Sequence, residues 1–363
     1  MGSVSVVKVG TSSIAKESGE LDDDALAKLA NDLGAARAAG HDVVLVMSGA
    51  IAAGMPALGL IRRPTDMGTL QAIAAVGQPL LLERMNALLG ARGIVAGQVL
   101  LTPYDFAHRS QYLHARETLQ RLRELGVLAI VNENDTVADD EIRFGDNDRL
   151  AALVAHLVYA DTLLLLTDTG GVFTADPRYD ADASLIEEIV EVDEAIEKAA
   201  GGAGTERGSG GMASKLAAAK IAAWSGVRAV IASASVPNVI LDALSGHAVG
   251  TSFAPRSTRL SSRKLWIAFA QGSEGRITVD AGARRALVEG GKSLLAAGVR
   301  DVDGGFDVDS AVEIVGDDGR VFAKGLSRYG ASQLRSVAGK RTADLPSGSP
   351  HEVVHRDDLV VLP

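Results

Sequence analysis

The chain has 363 residues, 47% of them hydrophobic and 23% charged, which is typical of a globular protein with two or three domains. A net charge of -10 argues against a protein that coats nucleic acid or an anionic membrane. Because the chain has no cysteine, disulfides, thiolate metal sites and cysteine nucleophiles are excluded.

Strand-like and helix-like segments alternate through the first two-thirds of the chain. The hydrophobic pattern predicts strands over 3–9, 42–47, 94–101, 127–131, 162–167 and 228–233, and helices over 22–39, 67–89, 110–125, 147–159 and 212–224. Apolar strands without clean alternation, separated by helices, are typical of a mostly parallel sheet covered on both faces. The expected fold class is therefore α/β, a three-layer sandwich around a mostly parallel central sheet.

The sequence changes character after about Ala254. A polar, basic stretch is followed by short apolar segments with frequent glycine, at 276–279, 298–302, 311–315, 320–323, 353–354 and 359–362. This pattern predicts a small, mainly β domain. We therefore expect a large domain over 1–257, a linker over 258–274 and a small domain over 275–363.

Several common site motifs fail. Gly291-Lys292-Ser293 ends like a Walker A loop, but Ala286 stands where the first glycine is required. A hydrolase nucleophile elbow requires glycine two residues before and two residues after the serine, and Ser48 has Val46 and Ala50 there. No dinucleotide-binding glycine pattern follows the first strand. The seven histidines are scattered, which makes a histidine-ligated metal centre improbable.

Polar residues concentrate where predicted strands end, which is where ligands bind in parallel sheets. Lys8 lies near the end of the first strand and precedes Gly10 and three hydroxyl residues, although a lysine that extends to solvent from a strand end is an alternative. Ser48-Gly49-Ala50 follows the second strand, and Thr167-Asp168 ends the fifth.

A second candidate phosphate site is the glycine-rich segment 208–215, which leads into a helix. Glycines allow a close backbone approach, and a helix start offers free N–H groups to an anion. Lys215 adds a full positive charge in the first turn. A flexible surface loop is the alternative interpretation.

Two segments dense in carboxylates and amides, 132–135 and 145–148, complete the set. Helix capping explains one of Asp146, Asn147 and Asp148, but not all three. Such groups suit the ammonium of an amino acid, and the same groups can orient lysines or hold Mg²⁺.

Together these segments resemble the amino-acid kinase family. The resemblance rests on a set of short motifs that occur in the family's order: Lys8-x-Gly10, Ser48-Gly49-Ala50, Thr167-Asp168, Gly171-Val172 with Asp176-Pro177, and Gly210-Gly211-Met212 with Lys215. Residues 132–135 and 144–148 are similar to the branch of the family that phosphorylates L-glutamate. Gly291-Lys292-Ser293-Leu294-Leu295, followed by Gly298-Val299, resembles a PUA domain.

The resemblance implies that ATP transfers its γ-phosphate to the side-chain carboxylate of glutamate, the first step toward proline. It implies catalytic roles for Lys8, Lys215 and Asp148, and glutamate binding by Ser48, Asp135 and Asn147. It assigns ATP to the following residues: Lys8, Thr167, Asp168, Ser209, Gly210, Gly211, Met212, Ala213, Ser214 and Lys215. Ser209 stands where the family often has threonine, which also carries a hydroxyl.

The resemblance also implies cofactors and partners. ATP and Mg²⁺ are expected, with no assigned metal ligands. Proline is expected as a feedback inhibitor, the chain as a homodimer or homotetramer in the cytoplasm, and glutamyl phosphate reductase as the receiver of the product. No membrane partner is expected, because no apolar run is long enough to span a bilayer.

Two alternatives stay open. One is a kinase of the same fold that acts on acetylglutamate or aspartate. The other is RNA binding by the PUA-like domain. The candidate is the segment 320–341, called the basic stripe here, which contains no acidic residue and six basic ones: Arg320, Lys324, Arg328, Arg335, Lys340 and Arg341. Because residues 271–363 carry 12 basic and 14 acidic residues, we expect this stripe to be structural or regulatory.

Overall fold

The structure is a computed structural model that describes residues 3–16, 18–137, 147–180, 182–192, 196, 211–257, 259–270 and 272–362. It divides into two compact units, Met1–Arg259 and Leu260–Pro363. Each unit has its own sheet.

The first unit is built on an eight-stranded sheet. Its strands are β1 Val4–Val9, β2 Asp42–Met47, β3 Ala96–Leu101, β4 Leu128–Glu133, β5 Thr162–Thr167, β6 Glu188–Ile189, β7 Arg228–Ser233 and β8 Thr251–Phe253. Their spatial order is β3-β4-β2-β1-β5-β7-β8-β6. The first six strands in this spatial order, β3-β4-β2-β1-β5-β7, are parallel, and β8 runs antiparallel to β7.

Helices cover both faces of this sheet. They are α1 Asp23–Ala38, α2 Ala50–Ala57, α3 Met67–Gly90, α4 Pro103–Ala107, α5 Arg109–Glu124, α6 Asn147–Leu157, α7 Met212–Trp224 and α8 Val239–Leu244. Apolar side chains of α1, α3 and α8 form one core with β1 and β2. On the other face, α6 packs on β1 and against α7. The expected three-layer α/β sandwich with a mostly parallel sheet is confirmed.

The position of β1 in the sheet decides where a site can form. β1 is a central strand, with β2, β4 and β3 on one side of it and β5 and β7 on the other. The carboxyl ends of these strands lie at one edge, so Lys8, Ser48, Glu133 and Thr167 meet there. This is the topological switch point at which open parallel sheets bind ligands.

Most predicted helices begin and end close to the predicted residues, because their ends carry strong local signals. The Asp22 carboxylate caps α1 by accepting from the N–H groups of Asp24 and Ala25. Asp66 caps α3 in the same way through Thr69. The short helices α2, α4 and α8, and the strands β6 and β8, were not predicted.

The second unit has a five-stranded sheet. Its strands are β9 Gly275–Val279, β10 Val299–Gly304, β11 Ala311–Val315, β12 Val321–Leu326 and β13 Leu359–Val361, in the order β10-β9-β11-β12-β13. The predicted strand at 353–354 is wrong, since Val354 makes an isolated bridge to Leu294. Three helices were not predicted, namely α9 Ser262–Leu265, α10 Ala281–Val288 and α11 Ala331–Val337.

The predicted linker over 258–274 falls mostly within the second unit. This unit begins at Leu260, and α9 lies inside the predicted linker. The domain limits of 1–257 and 275–363 stay a prediction. Among the described helices, none combines the length and the apolar character that a bilayer-spanning segment needs.

Helices α2 and α3 touch through glycine. A Cβ atom at Gly77 of α3 would lie 1.8 Å from the Ala50 carbonyl oxygen, and one at Gly54 of α2 would lie 2.2 Å from the Ile73 carbonyl oxygen. Both distances are far inside van der Waals contact, so the backbones of the two helices meet directly. This contact holds α2, which begins just after Ser48, against α3.

Gly77→Ala is therefore expected to destabilise the first unit by about 3 kcal/mol, since the helices must separate to admit one methyl group. Gly90→Ala in the same helix is the matched control, because nothing lies within 4 Å of its Cβ position. It should shift stability by less than about 1 kcal/mol. Thermal and urea unfolding of both variants measure the difference, and equal effects would contradict direct backbone packing.

Candidate active site

Two lysines and one aspartate form a buried cluster at the carboxyl edge of the sheet. Asp148, in the first turn of α6, has no exposed surface, and Lys8 and Lys215 are 4% and 5% exposed. Asp148 Oδ1 pairs with the Lys8 ammonium, and Asp148 Oδ2 lies 3.2 Å from Lys215 Nζ. The three groups sum to one positive charge inside the protein.

The lysines keep Asp148 ionised. Burial by itself raises the pKa of this carboxyl, but the charges of Lys8 and Lys215, with hydrogen bonds from Lys8 and Ser214, outweigh burial and hold its pKa at about 2. The carboxylate therefore stays negative at any physiological pH. In return, its negative charge offsets part of the cost of burying the two ammonium groups.

The start of α7 lies beside this cluster. The Ser214 hydroxyl lies 2.7 Å from Asp148 Oδ2 and 2.9 Å from the Gly211 carbonyl oxygen, and its single proton can be donated to either acceptor. The first turn, from Met212, offers N–H groups and the positive end of the helix dipole. The structure thus brings Gly211, Met212, Ala213, Ser214 and Lys215 to the cluster, while Ser209 and Gly210 lie outside the described residues.

Gly10 and the hydroxyls behind it continue the edge after β1. A Cβ atom at Gly10 would lie 3.2 Å from Lys8 Nζ, so glycine leaves room for the ammonium. Ser13 Oγ is buried and has no hydrogen-bond partner among the described residues. A polar atom in this state is typical of a group that serves a ligand.

An amide network occupies the β2 and β4 side of the cluster. Asn147 Nδ2 donates to Ser48 Oγ at 3.0 Å and to Asn132 Oδ1 at 3.1 Å. Asn132 Nδ2 in turn donates to Gln78 Oε1 of α3 at 2.7 Å. The structure therefore brings Ser48 and Asn147 together and adds Asn132 and Gln78 to them.

Asp135 lies further along the same segment, in a 3₁₀ turn after β4. Burial raises its pKa to about 6, and the positive charge of Arg63 opposes part of this rise. A groove of about 540 Å³ opens beside Asp135, between α3, β3 and residues 133–136. Gln78 and Gln98 also line the groove, and the amide nitrogen of Gln98 is buried without a hydrogen-bond partner among the described residues.

Thr167 and Asp168 lie on the opposite side of β1, at the end of β5. The Thr167 side chain is buried and donates to Asp168 Oδ1 at 3.0 Å, while Asp168 is exposed. The Thr167 carbonyl accepts from the Ala234 N–H at 2.7 Å, which ties this edge of β5 to the segment after β7. These two residues are thus separated from Ser48 and Asp135 by the central strand.

The described residues contain no group of three carboxylates or imidazoles that is close enough to hold a metal ion. Asp148, the most buried carboxylate of the edge, is already bonded to two ammonium groups.

Gln78 is the residue that sequence reasoning missed. It lies inside a long helical pattern. The one signal in the sequence is that this amide residue, followed by Pro79, stands among mostly apolar residues. Its partner Asn132 was noticed as part of the 132–135 segment but was given no role.

Half of the residues in the predicted basic stripe are buried or paired within the second unit. Lys324 is buried, Arg328 lies 3.3 Å from Glu352, and Arg335 donates to the carbonyls of Val302 and Gly304 at 3.1 and 2.5 Å. Three of the six residues thus have structural contacts that do not require a nucleic acid.

Comparison with known proteins agrees with this geometry. Residues 3–233 match the amino acid kinase family and residues 275–348 match the PUA domain. The first unit is similar in fold to a carbamate kinase from Giardia lamblia bound to AMP-PNP, with a TM-score of 0.52 and 17% identity over 70% of this chain and 98% of that one. An isopentenyl phosphate kinase gives a TM-score of 0.51 and 21% identity over 69% of this chain and 100% of that one.

Curated relatives match at much higher identity. Glutamate 5-kinase of Moorella thermoacetica is 46% identical, covering 98% of this chain and 96% of that protein. Glutamate 5-kinase of Mycobacterium tuberculosis (strain H37Rv) is 48% identical, covering 98% and 94%. The chain therefore belongs to the amino acid kinase family, in its group of glutamate 5-kinases, with a PUA domain after the kinase domain.

Proposed function

We propose that this protein transfers the γ-phosphate of ATP to the side-chain carboxylate of L-glutamate, giving L-glutamyl 5-phosphate, the first intermediate of proline biosynthesis. The observation that carries the proposal is the Lys8–Asp148–Lys215 cluster, which lies between an amide-rich side and a nucleotide side of one sheet edge. Membership in the glutamate 5-kinases supports the choice of substrate.

The cluster suits the chemistry of this reaction. A glutamate carboxylate is ionised at neutral pH, so the transfer needs no general base. Its main obstacle is repulsion between two anions, and two fixed ammonium groups offset that repulsion without reorganisation. We assign this role to Lys8 and Lys215, and the positioning of both lysines to Asp148.

Glutamate is assigned to the amide-rich side. Asp135, Asn147 and Ser48 supply carboxylate, amide and hydroxyl groups, and the substrate ammonium requires acceptors of this kind. Asn132 and Gln78 orient Asn147 through their hydrogen bonds. The groove beside Asp135 gives access to this side of the edge.

ATP is assigned to the β5 and α7 side. Thr167, Asp168 and the segment Gly211–Lys215 lie there, and the predicted residues Ser209 and Gly210 precede that segment in the chain. The N-terminus of α7 and the Lys215 ammonium favour phosphate at this position. We propose that Mg²⁺ arrives with ATP, held mainly by the phosphate oxygens.

Further proposals concern partners and place. Homodimers or homotetramers, inhibition by proline and a cytoplasmic location are carried over from the resemblance. The product is a mixed anhydride of a carboxylic and a phosphoric acid, which water hydrolyses, and this supports direct consumption by glutamyl phosphate reductase. RNA binding by the second unit is not part of the proposal, because half of its basic stripe is engaged in structural contacts.

A coupled assay of ADP formation tests the substrate. L-Glutamate should be the best acceptor, because N-acetylation removes the ammonium that Asp135 is expected to bind, and the aspartate side chain is one methylene shorter. Discrimination against each is expected to exceed about tenfold in kcat/KM. Faster turnover with acetylglutamate or aspartate would contradict the glutamate assignment and identify that compound as the substrate.

Lys8→Ala and Lys215→Ala are each expected to lower kcat by about 10²–10³-fold, since each removes a preorganised charge from the transferring phosphoryl group. Lys292→Ala is the control, because Lys292 is an exposed lysine that belongs to the second unit. Steady-state kinetics of the three variants measure the effect, and near-normal turnover in either site variant would overturn these roles.

The raised pKa of Asp135 predicts a pH dependence for glutamate binding. Below about pH 6 the free carboxyl is protonated and loses the charge that attracts an ammonium, so KM for glutamate should rise as the pH falls through this value. Asp135→Asn should have a high KM throughout and lack this dependence.

The measurement is the ratio of KM for glutamate in the variant to that in the wild type, between about pH 5 and pH 8. Titration of glutamate and ATP themselves cancels in this ratio, which should fall toward low pH. A ratio that stays constant over the range would show that Asp135 does not bind the ammonium.

A further inference from the structure

The segment that follows β5 folds back onto β8. After Asp168 the chain forms two arms that pair with each other, with the Ile186 N–H donating to the Val172 carbonyl at 2.8 Å and the Thr174 N–H to the Ser184 carbonyl at 2.9 Å. Both arms then meet β8 at Thr251.

The hydroxyl of Thr251 joins the two arms to the sheet. Thr251 Oγ1 accepts from the Val172 N–H at 2.8 Å and donates to the Ile186 carbonyl at 2.6 Å. Thr251 has no exposed surface, so water does not replace these bonds when the hydroxyl is removed. One side-chain atom therefore fixes two backbone groups at the base of the hairpin.

Glycines bring the backbones close enough for this contact. Gly250 has a φ of +62°, and a Cβ atom there would lie 2.0 Å from the Ile231 carbonyl oxygen and 2.8 Å from the Gly170 carbonyl oxygen. A Cβ atom at Gly171 would lie 2.6 Å from Thr251 Oγ1. The segment from Gly170 to Val172 thus rests on Gly250 and Thr251 with no side chain between them.

We propose that Thr251 is a positioning residue for the nucleotide, which holds Thr167 and Asp168 in place through Val172 without touching ATP. The inference rests on the proposed function, since that function assigns ATP to Thr167 and Asp168. Three residues separate Asp168 from Val172, and the Thr167 carbonyl is fixed by Ala234, so the short segment between is anchored at both ends.

The position of β8 in the sheet makes the effect specific. It lies beyond β7 on the side of β1 that carries β5, whereas Ser48 and Asp135 follow β2 and β4 on the other side. Loss of the Thr251 hydroxyl should therefore weaken ATP binding and leave glutamate binding unchanged. A residue that merely stabilised the fold would not separate the two substrates.

Four variants of the full chain test this. Thr251→Val removes the hydroxyl and keeps the shape, while Thr251→Ser keeps the hydroxyl. Thr251→Ala, compared with Thr251→Ser, isolates the hydroxyl again should the valine variant fail to fold. Ser252→Ala is the matched control on the same strand, because its hydroxyl accepts from Arg228 and not from the hairpin.

The measurements are KM for ATP, KM for glutamate and kcat, together with direct titration of a fluorescent ATP analogue. Thr251→Val is expected to raise KM for ATP and the Kd of the analogue about tenfold, with KM for glutamate within about twofold of the wild type. Thr251→Ser and Ser252→Ala should bind the analogue as the wild type does.

Three outcomes would overturn the inference: unchanged analogue affinity in the variants without the hydroxyl, an equal rise in both KM values, or a serine variant as impaired as the alanine variant. The analogue titration separates this inference from the proposed function. A wild type that binds the analogue but phosphorylates no glutamate contradicts the function, and the variant series still decides the role of Thr251.

Discussion

The fully buried carboxylate of Asp148 is the constraint on which the rest of this site depends. It bonds to Lys8 from the central strand and to Lys215 from α7, two elements more than two hundred residues apart in the chain. Two ammonium groups buried without a counter-charge would each carry a large desolvation cost. Because Asp148 stays ionised, the charges that a phosphoryl transfer requires are in place before any ligand arrives. The overall charge of -10 therefore has little bearing on the ability to bind anions locally.

Much of this arrangement was predictable from the sequence because its signals are local. Val, Leu and Ile runs define strands such as β2 and β5, and Asp66 marks the start of α3. Parallel strands bring their carboxyl ends to one edge, so Lys8, Ser48 and Thr167 were expected near each other before any distance was known. The resemblance then gave these residues roles, and the structure supplied the geometry in which Lys8, Asp148 and Lys215 meet.

What the sequence could not supply depends on contacts between distant segments. Gln78 lies inside a helical pattern, and nothing in that pattern indicates its hydrogen bond to Asn132. Thr251 belongs to a three-residue strand, too short to be distinguished from a turn. The sequence also did not indicate that the Ser214 hydroxyl, predicted to bind the nucleotide, lies within hydrogen-bond distance of Asp148. In the second unit, α10 and α11 are only eight and seven residues long, too short for their hydrophobic pattern to indicate a helix.

The start of α6 couples the two halves of the site. Asn147 and Asp148 are adjacent, and their side chains serve opposite sides of the central strand. Asn147 reaches Ser48 and Asn132 on the amide-rich side, whereas Asp148 reaches the lysines. A shift of this one helical turn therefore moves the groups assigned to glutamate together with those assigned to the phosphoryl group. The burial of all but one residue of α6 resists such a shift, because its apolar side chains pack on β1 and against α7. Under the proposed assignment, the glutamate-binding amide of Asn147 and the lysine-positioning carboxylate of Asp148 are therefore held by the same packed helix.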